Sequence, residues 1–188
     1  MNSVVAALTR SSGIVAGFLA VITLITGSLF SGRETGRRIR PAWWLDFHNG
    51  LGGLTLAAVA LHVLASLRDS DFGVRPLDAV VPWVASTNRG ALAWGVVATY
   101  TIAGAVLTTW PRRLRRPRLW RTIHVSSVAG VVVALVHGYQ MGTDAPRAAF
   151  RLALIAMAAS ASYALGVRAF DLVVRRRSTA RDSQPAPR

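Results

Sequence analysis

Four histidines are the residues of this 188-residue sequence whose type and spacing point to chemistry. His48 and His62 stand fourteen positions apart, and His124 and His137 stand thirteen apart. An imidazole can carry a proton or bind iron, copper or zinc. Cysteine is absent, which excludes disulfides, thiolate-held iron–sulfur clusters and covalent haem at a C-x-x-C-H site. No G-x-G-x-x-G or P-loop pattern occurs, so no flavin or nicotinamide site is expected in this chain.

The elements that position these histidines follow from where the charges lie. The chain is 52% hydrophobic and 16% charged, with 22 basic residues, all arginine, against 8 acidic ones. A soluble domain spends about a quarter of its residues on charge, so an apolar chain of formal charge +14 is a nucleic-acid binder or a membrane protein. Charge-free runs cover residues 11–32, 47–67, 90–111, 122–143 and 152–167. A hydrocarbon core of roughly 30 Å needs about 20 helical residues. Four runs meet that length, and the fifth reaches Val174 if Arg168 and Asp171 pair or snorkel near its end.

The expected fold is therefore an all-α membrane protein, a five-transmembrane-helix bundle with spans at about 11–32, 45–67, 90–111, 120–141 and 149–174. Residues 1–10 form an N-terminal segment and residues 175–188 a basic, disordered tail. The first run is longer than a signal peptide's apolar stretch and lacks an A-x-A site, so it is expected to remain. Lipid is the expected surrounding, and nucleic acid is not a partner.

The arginines orient the bundle. Fifteen of the 22 lie between spans 1 and 2, between spans 3 and 4, or after span 5. Positive residues stay on the cytoplasmic side, which places the N-terminus outside and the C-terminus in the cytoplasm. Trp43, Trp44, Trp110 and Trp120 fall at the cytoplasmic span ends, and Trp83 and Trp94 at the outer side, as interfacial indoles should. The stretch Pro76 to Ser86 is too short to span and is expected to lie along the outer surface. The Gly13-x-x-x-Gly17 pair offers a small-residue face for helix contact.

Spans 2 and 4 run in the same direction, so the histidines form two levels. His48 and His124 lie near the cytoplasmic end, and His62 and His137 lie roughly 20 Å away near the outer end. Two imidazoles at each level could hold one haem iron apiece. Zinc is less suitable, because its sites want three or four close ligands. His48 and His62 share a helical face, but thirteen residues at about 100° each leave His124 and His137 about 140° apart. Span 4 should then be locally tightened, or His124 should occupy a loosened first turn. Gly50, Gly52, Gly53 and Gly130 would let a flat macrocycle approach the backbone.

The stretches Phe47-His48-Asn49-Gly50-Leu51-Gly52 through Ala60-Leu61-His62-Val63, and Leu119-Trp120-Arg121-Thr122-Ile123-His124 through Leu135-Val136-His137, resemble the ferric-reductase-like transmembrane domain. That domain is the haem-bearing membrane part of ferric reductases, NADPH oxidases and the methionine-sulfoxide reductase haem subunit. The resemblance covers roughly residues 10 to 172 and includes the paired spacings H-x13-H and H-x12-H. It implies two b-type haems with bis-histidine iron, His48 and His124 holding the inner one and His62 and His137 the outer. Members commonly have a sixth, earlier helix and, in oxidases and eukaryotic reductases, a flavin and nicotinamide domain after the last helix. Neither is expected here.

A haem with both axial positions filled transfers single electrons rather than activating oxygen. The expected function is a di-haem b-type cytochrome passing electrons across the bilayer. A separate flavoprotein or quinol would be the cytoplasmic-side donor, and ferric iron or a partner protein the external acceptor. Arginine pairs well with carboxylates, and by position Arg40 and Arg121 suit the inner haem propionates, Arg68 and Arg89 the outer. The lysine-free composition suggests a high-GC bacterium and hence its inner membrane. The competing readings are a cofactor-free scaffold or accessory subunit, and a metal or proton transporter, the latter weakened by the lack of mid-span carboxylates.

Overall fold

Each long helix of the chain carries an apolar stretch long enough to cross a bilayer, and a helix satisfies its own backbone polar groups where no water can. The computed structural model describes residues 2–32, 41–70, 73–109 and 116–182. They form α1 (Asn2–Gly32), α2 (Pro41–Ser66), α3 (Pro76–Val80), α4 (Arg89–Thr109), α5 (Pro117–Met141) and α6 (Ala148–Asp182), with no strand among the described residues. All but α3 are long and apolar enough to cross a bilayer, the spans being Val4–Leu29, Ala42–Ser66, Arg89–Thr109, Pro117–Met141 and Ala148–Val174. The expected all-α bundle of five membrane helices is the observed one.

Proline begins both histidine-bearing helices, α2 at Pro41 and α5 at Pro117, where its missing N–H costs nothing and its fixed φ suits the first turn. α1 packs antiparallel against α2 and α4 against α5, while α1 also touches α5 and α6, and α2 touches α4. The interior is built from small side chains. Ala16, Ala20, Ala93, Ala98, Ala105, Ala161 and Ala164 are buried, whereas Leu54, Leu64, Leu107, Leu152 and Phe170 are exposed. Small residues let helices approach closely when lipid offers large side chains an equally apolar home. A Cβ on Gly130 would collide with the Thr101 hydroxyl, so this glycine marks the α4/α5 crossing rather than a ligand face.

A central cluster of Ala20, Val21, Ile102, Val131 and Ala161, flanked by Leu24, Ile25, Leu135 and Met157, closes the middle of the bundle. Thr55, only 2% exposed, bonds Thr23 across α1 and α2 at 3.2 Å. In sequence these residues fall between the two histidine levels.

Two boundaries differ from expectation. Residues 2–10, expected as a separate segment, are the first turns of α1. Val4, Val5, Ala6, Ala7 and Leu8 continue the apolar run past Arg10, whose Nε folds back onto the Ala6 carbonyl at 3.3 Å. The tail expected to be disordered from residue 175 continues α6 as far as Asp182, since arginine is a good helix former and the first proline comes at Pro185. Arg168 and Asp171 pair at 2.8 Å within α6, as anticipated.

The α2 to α4 connection is pinned to the bundle. α3 lies within it, Asp78 accepts bonds from the Arg75 backbone and guanidinium at 3.1, 3.0 and 2.7 Å, and Tyr100 donates its hydroxyl to the Val80 carbonyl. Hydrogen bonds from the Arg75 guanidinium, then from its backbone N–H, and last its charge hold the Asp78 carboxyl below its ordinary value against the effect of burial.

Candidate functional site

α2 and α5 run the same way and bring the histidines together by depth. The His48 and His124 ring centroids are 5.9 Å apart and those of His62 and His137 are 6.2 Å apart. All four rings are partly buried. A metal–imidazole bond of about 2.0–2.1 Å and a ring radius of about 1.2 Å place the centroids of two trans imidazoles about 6.4 Å apart. Both pairs therefore stand at nearly the separation that one shared metal requires. Among the described residues no group of three or more potential ligands gathers, so each level offers two.

Hydrogen bonds decide which ring nitrogen is available. His62 Nδ1 lies 2.9 Å from the Thr9 carbonyl and His137 Nδ1 lies 2.7 Å from the Ala91 carbonyl. A carbonyl can only accept, so both Nδ1 atoms carry the proton and each Nε2 keeps its lone pair. His48 Nδ1 lies 3.3 Å from the Thr26 hydroxyl. That hydroxyl spends its single proton on the Thr23 carbonyl at 2.9 Å, so it too accepts from Nδ1. Such carbonyl-anchored imidazoles are typical of metal-ligating histidines, whose partners fix the tautomer and raise ligand basicity. His124 differs: its Nδ1 is buried with no hydrogen bond among the described residues. Trp120 stacks on its ring instead, at 5.0 Å and 20°.

The 140° offset between His124 and His137 is met neither by tightening nor by loosening of the helix. α5 is unbroken α-helix from Pro117 to Met141, with His124 in its second turn. Both rings still meet their partners on α2, His124 doing so without the hydrogen-bonded carbonyl that holds His137.

His62 and His137 face a cavity of about 230 Å³ whose walls come from all six helices, α3 contributing Asp78 and Ala79. Arg10, Gly17, Thr99 and Met157 are among its lining residues. Arg68 and Arg89, expected near this level, do not line it, and Arg89 Nε instead donates to the Trp83 carbonyl. Arg10 is the arginine that does line it, although it lies outside the charge-free run of the first span. At the other level Arg121 is exposed beside Trp120, while Arg40 lies outside the described residues. A Cβ at Gly50 or Gly53 would meet nothing within 4 Å, whereas one at Gly52 would touch Val106 at 3.6 Å. Of the Gly13 and Gly17 pair, Gly13 lies against the His62 ring and Gly17 against Met157, so the two face different helices.

Residues 13–136 match the family described as ferric reductase like transmembrane component. The chain belongs to this family. No curated protein and no solved structure matches it. Within this ferric-reductase-like chain the matched stretch begins at Gly13, contains His48, His62 and His124, and ends one residue before His137. The family is one of haem-binding transmembrane domains, which makes this multi-pass protein a membrane electron-transfer component in contact with lipid.

Proposed function

We propose that this chain is a di-haem b-type cytochrome, with residues 11–174 as its haem domain, His48 and His124 holding one haem and His62 and His137 the other. The observation that carries this reading is the pair of imidazole couples, three of whose members present an Nδ1 proton to an oxygen acceptor and so leave Nε2 free. Bis-histidine haem supplies one-electron transfer with no open coordination position.

The protein's own residues orient and insulate that chemistry. Thr9, Ala91 and the Thr26–Thr23 relay lock three rings in one tautomer. The apolar cluster around Ile102 and Val131 keeps water from the space between the levels. Arg10 at one level and Arg121 at the other are placed to pair with propionates, with Arg40, Arg68 and Arg89 the remaining candidates by position. The arginine-rich end is cytoplasmic and the N-terminus external by the positive-inside rule, in a bacterial inner membrane. A separate flavoprotein or quinol donates electrons on the cytoplasmic side, and ferric iron or a partner protein accepts them outside.

Reduced-minus-oxidised absorption of the purified protein tests this directly. About two b-type haems per chain are expected, and a colourless protein would refute the reading.

A further inference from the structure

Three of the four imidazoles dock over a glycine of a neighbouring helix. Cα–Cβ bonds lean toward a helix N-terminus, so the Cβ of a residue hangs beside the carbonyl four positions earlier. Glycine there uncovers the carbonyl's second lone pair. His62 reaches the Thr9 carbonyl over Gly13, where a Cβ would stand 3.0 Å from the ring. His137 reaches the Ala91 carbonyl over Gly95, where a Cβ would stand 2.8 Å from it. His48 lies over Gly27, again at 2.8 Å, within reach of the Thr23 carbonyl. For His62 and His137 the glycine follows the acceptor by four residues, and Gly27 stands at the same offset from the Thr23 carbonyl, although the hydrogen bond of His48 goes to the Thr26 hydroxyl.

The fourth docking site breaks this pattern. His124 approaches the Ala105 carbonyl but makes no well-formed hydrogen bond to it, and four residues after that carbonyl stands Thr109. Its hydroxyl donates to that same carbonyl at 2.8 Å and accepts from Trp120 Nε1 at 3.2 Å. Thr109 thus covers the carbonyl and occupies it, and His124 Nδ1 is left without a bond. The register accounts for the difference. On α1 the carbonyls of Thr9 and Thr23 are fourteen apart, matching His48 and His62, and on α4 those of Ala91 and Ala105 are also fourteen apart, whereas His124 and His137 are thirteen apart.

We infer that Gly13 and Gly95 are positioning residues that seat ligand imidazoles on helix carbonyls, that Gly27 gives His48 the same close approach to α1, and that Thr109 leaves His124 the one ligand without a well-formed hydrogen bond. The inference rests on the proposed haem reading. An Nδ1–H bond to a carbonyl makes imidazole a stronger donor to ferric iron, so the haem at His48 and His124 has the weaker ligand field of the two. It is the easier one to reduce so far as this bond decides.

The test is redox titration and haem quantification of the full-length, haem-loaded protein. Thr109→Gly, which opens the fourth seat, should favour the ferric form of one haem about tenfold, a downward shift of about 59 mV for a one-electron couple. The other haem should not move. Thr109→Ala, which frees the carbonyl but keeps the Cβ, should shift it less. Gly13→Ala and Gly95→Ala should each weaken one haem by at least about tenfold and spare the other. Unchanged potentials in both Thr109 variants, in a protein that binds two haems, would overturn the inference while leaving the haem reading intact. If the wild-type protein binds no haem, the haem reading fails, and histidine-nitrogen NMR of the haem-free chain decides the seats. Fixed Nδ1–H tautomers at His48, His62 and His137, with His124 fixed only in Thr109→Gly, would uphold them, and four equivalent histidines would not.

Discussion

The two histidine levels use the same residue types and nearly the same separation, yet they are held differently. At His62 and His137 both rings donate to backbone carbonyls and face a cavity walled by all six helices. At His48 and His124 the contacts come from side chains: the Thr26 hydroxyl for one ring and the Trp120 indole for the other. A backbone carbonyl in a helix cannot move without unfolding a turn, whereas a hydroxyl or an indole can rotate. The level at the arginine-rich end is thus the more adjustable one, and the level at the far end the more rigid.

The largest effect that separates the levels is ligand loss. His62→Ala should remove one haem and leave the other with its spectrum and potential, so the haem content per chain falls by half, as measured by pyridine haemochrome assay. Loss of both haems from this single change would mean that the levels are not independent. A smaller and one-sided effect is expected from Trp120→Ala, which removes the stack on His124 and the bond to Thr109. It should weaken haem binding at His48 and His124 by about tenfold with no change at the other level, and Trp120→Phe should recover part of the loss. An equal effect on both levels would erase the distinction drawn between them.

The smallest effect concerns the connection next to the rigid level. The Asp78 carboxyl is held below its ordinary value of 3.8 by Arg75. Its folded value is depressed, so the bond to Arg75 contributes fully above pH 3.8 and is lost as pH falls through the lower, folded value. Hydrogen exchange of residues 73–88 should therefore quicken only in that acid range, and Asp78→Asn should show the faster exchange already at neutral pH. Acid-range exchange that is identical in the two proteins would remove this bond from the account.

Much of the fold was legible because a bilayer imposes a length and a polarity that charge-free runs reveal. The boundaries were less so. Arg10 interrupts α1 as a charge but not as a helix, and its Nε returns to the Ala6 carbonyl. The same feature hid Arg10 as a lining residue of the cavity. The pairing of histidines by depth followed from two parallel spans, and the structure places the rings accordingly. What spacing could not foretell was which glycines mattered. Gly130 and Gly52 sit in histidine helices but meet α4 side chains, whereas Gly13, Gly27 and Gly95 lie on the opposing helices, and their meaning depends on an interhelical register no single span contains. Thr109 was invisible for the same reason, since only its place opposite His124 makes it different from the other threonines.

The central claim is that two bis-histidine sites exist, one at each depth. Electron paramagnetic resonance of the oxidised, full-length protein, with haem counted in the same sample, tests it most directly. The account predicts two low-spin ferric signals from about two haems per chain. A single signal from one haem per chain, or a high-spin signal from iron lacking an axial ligand, would contradict it.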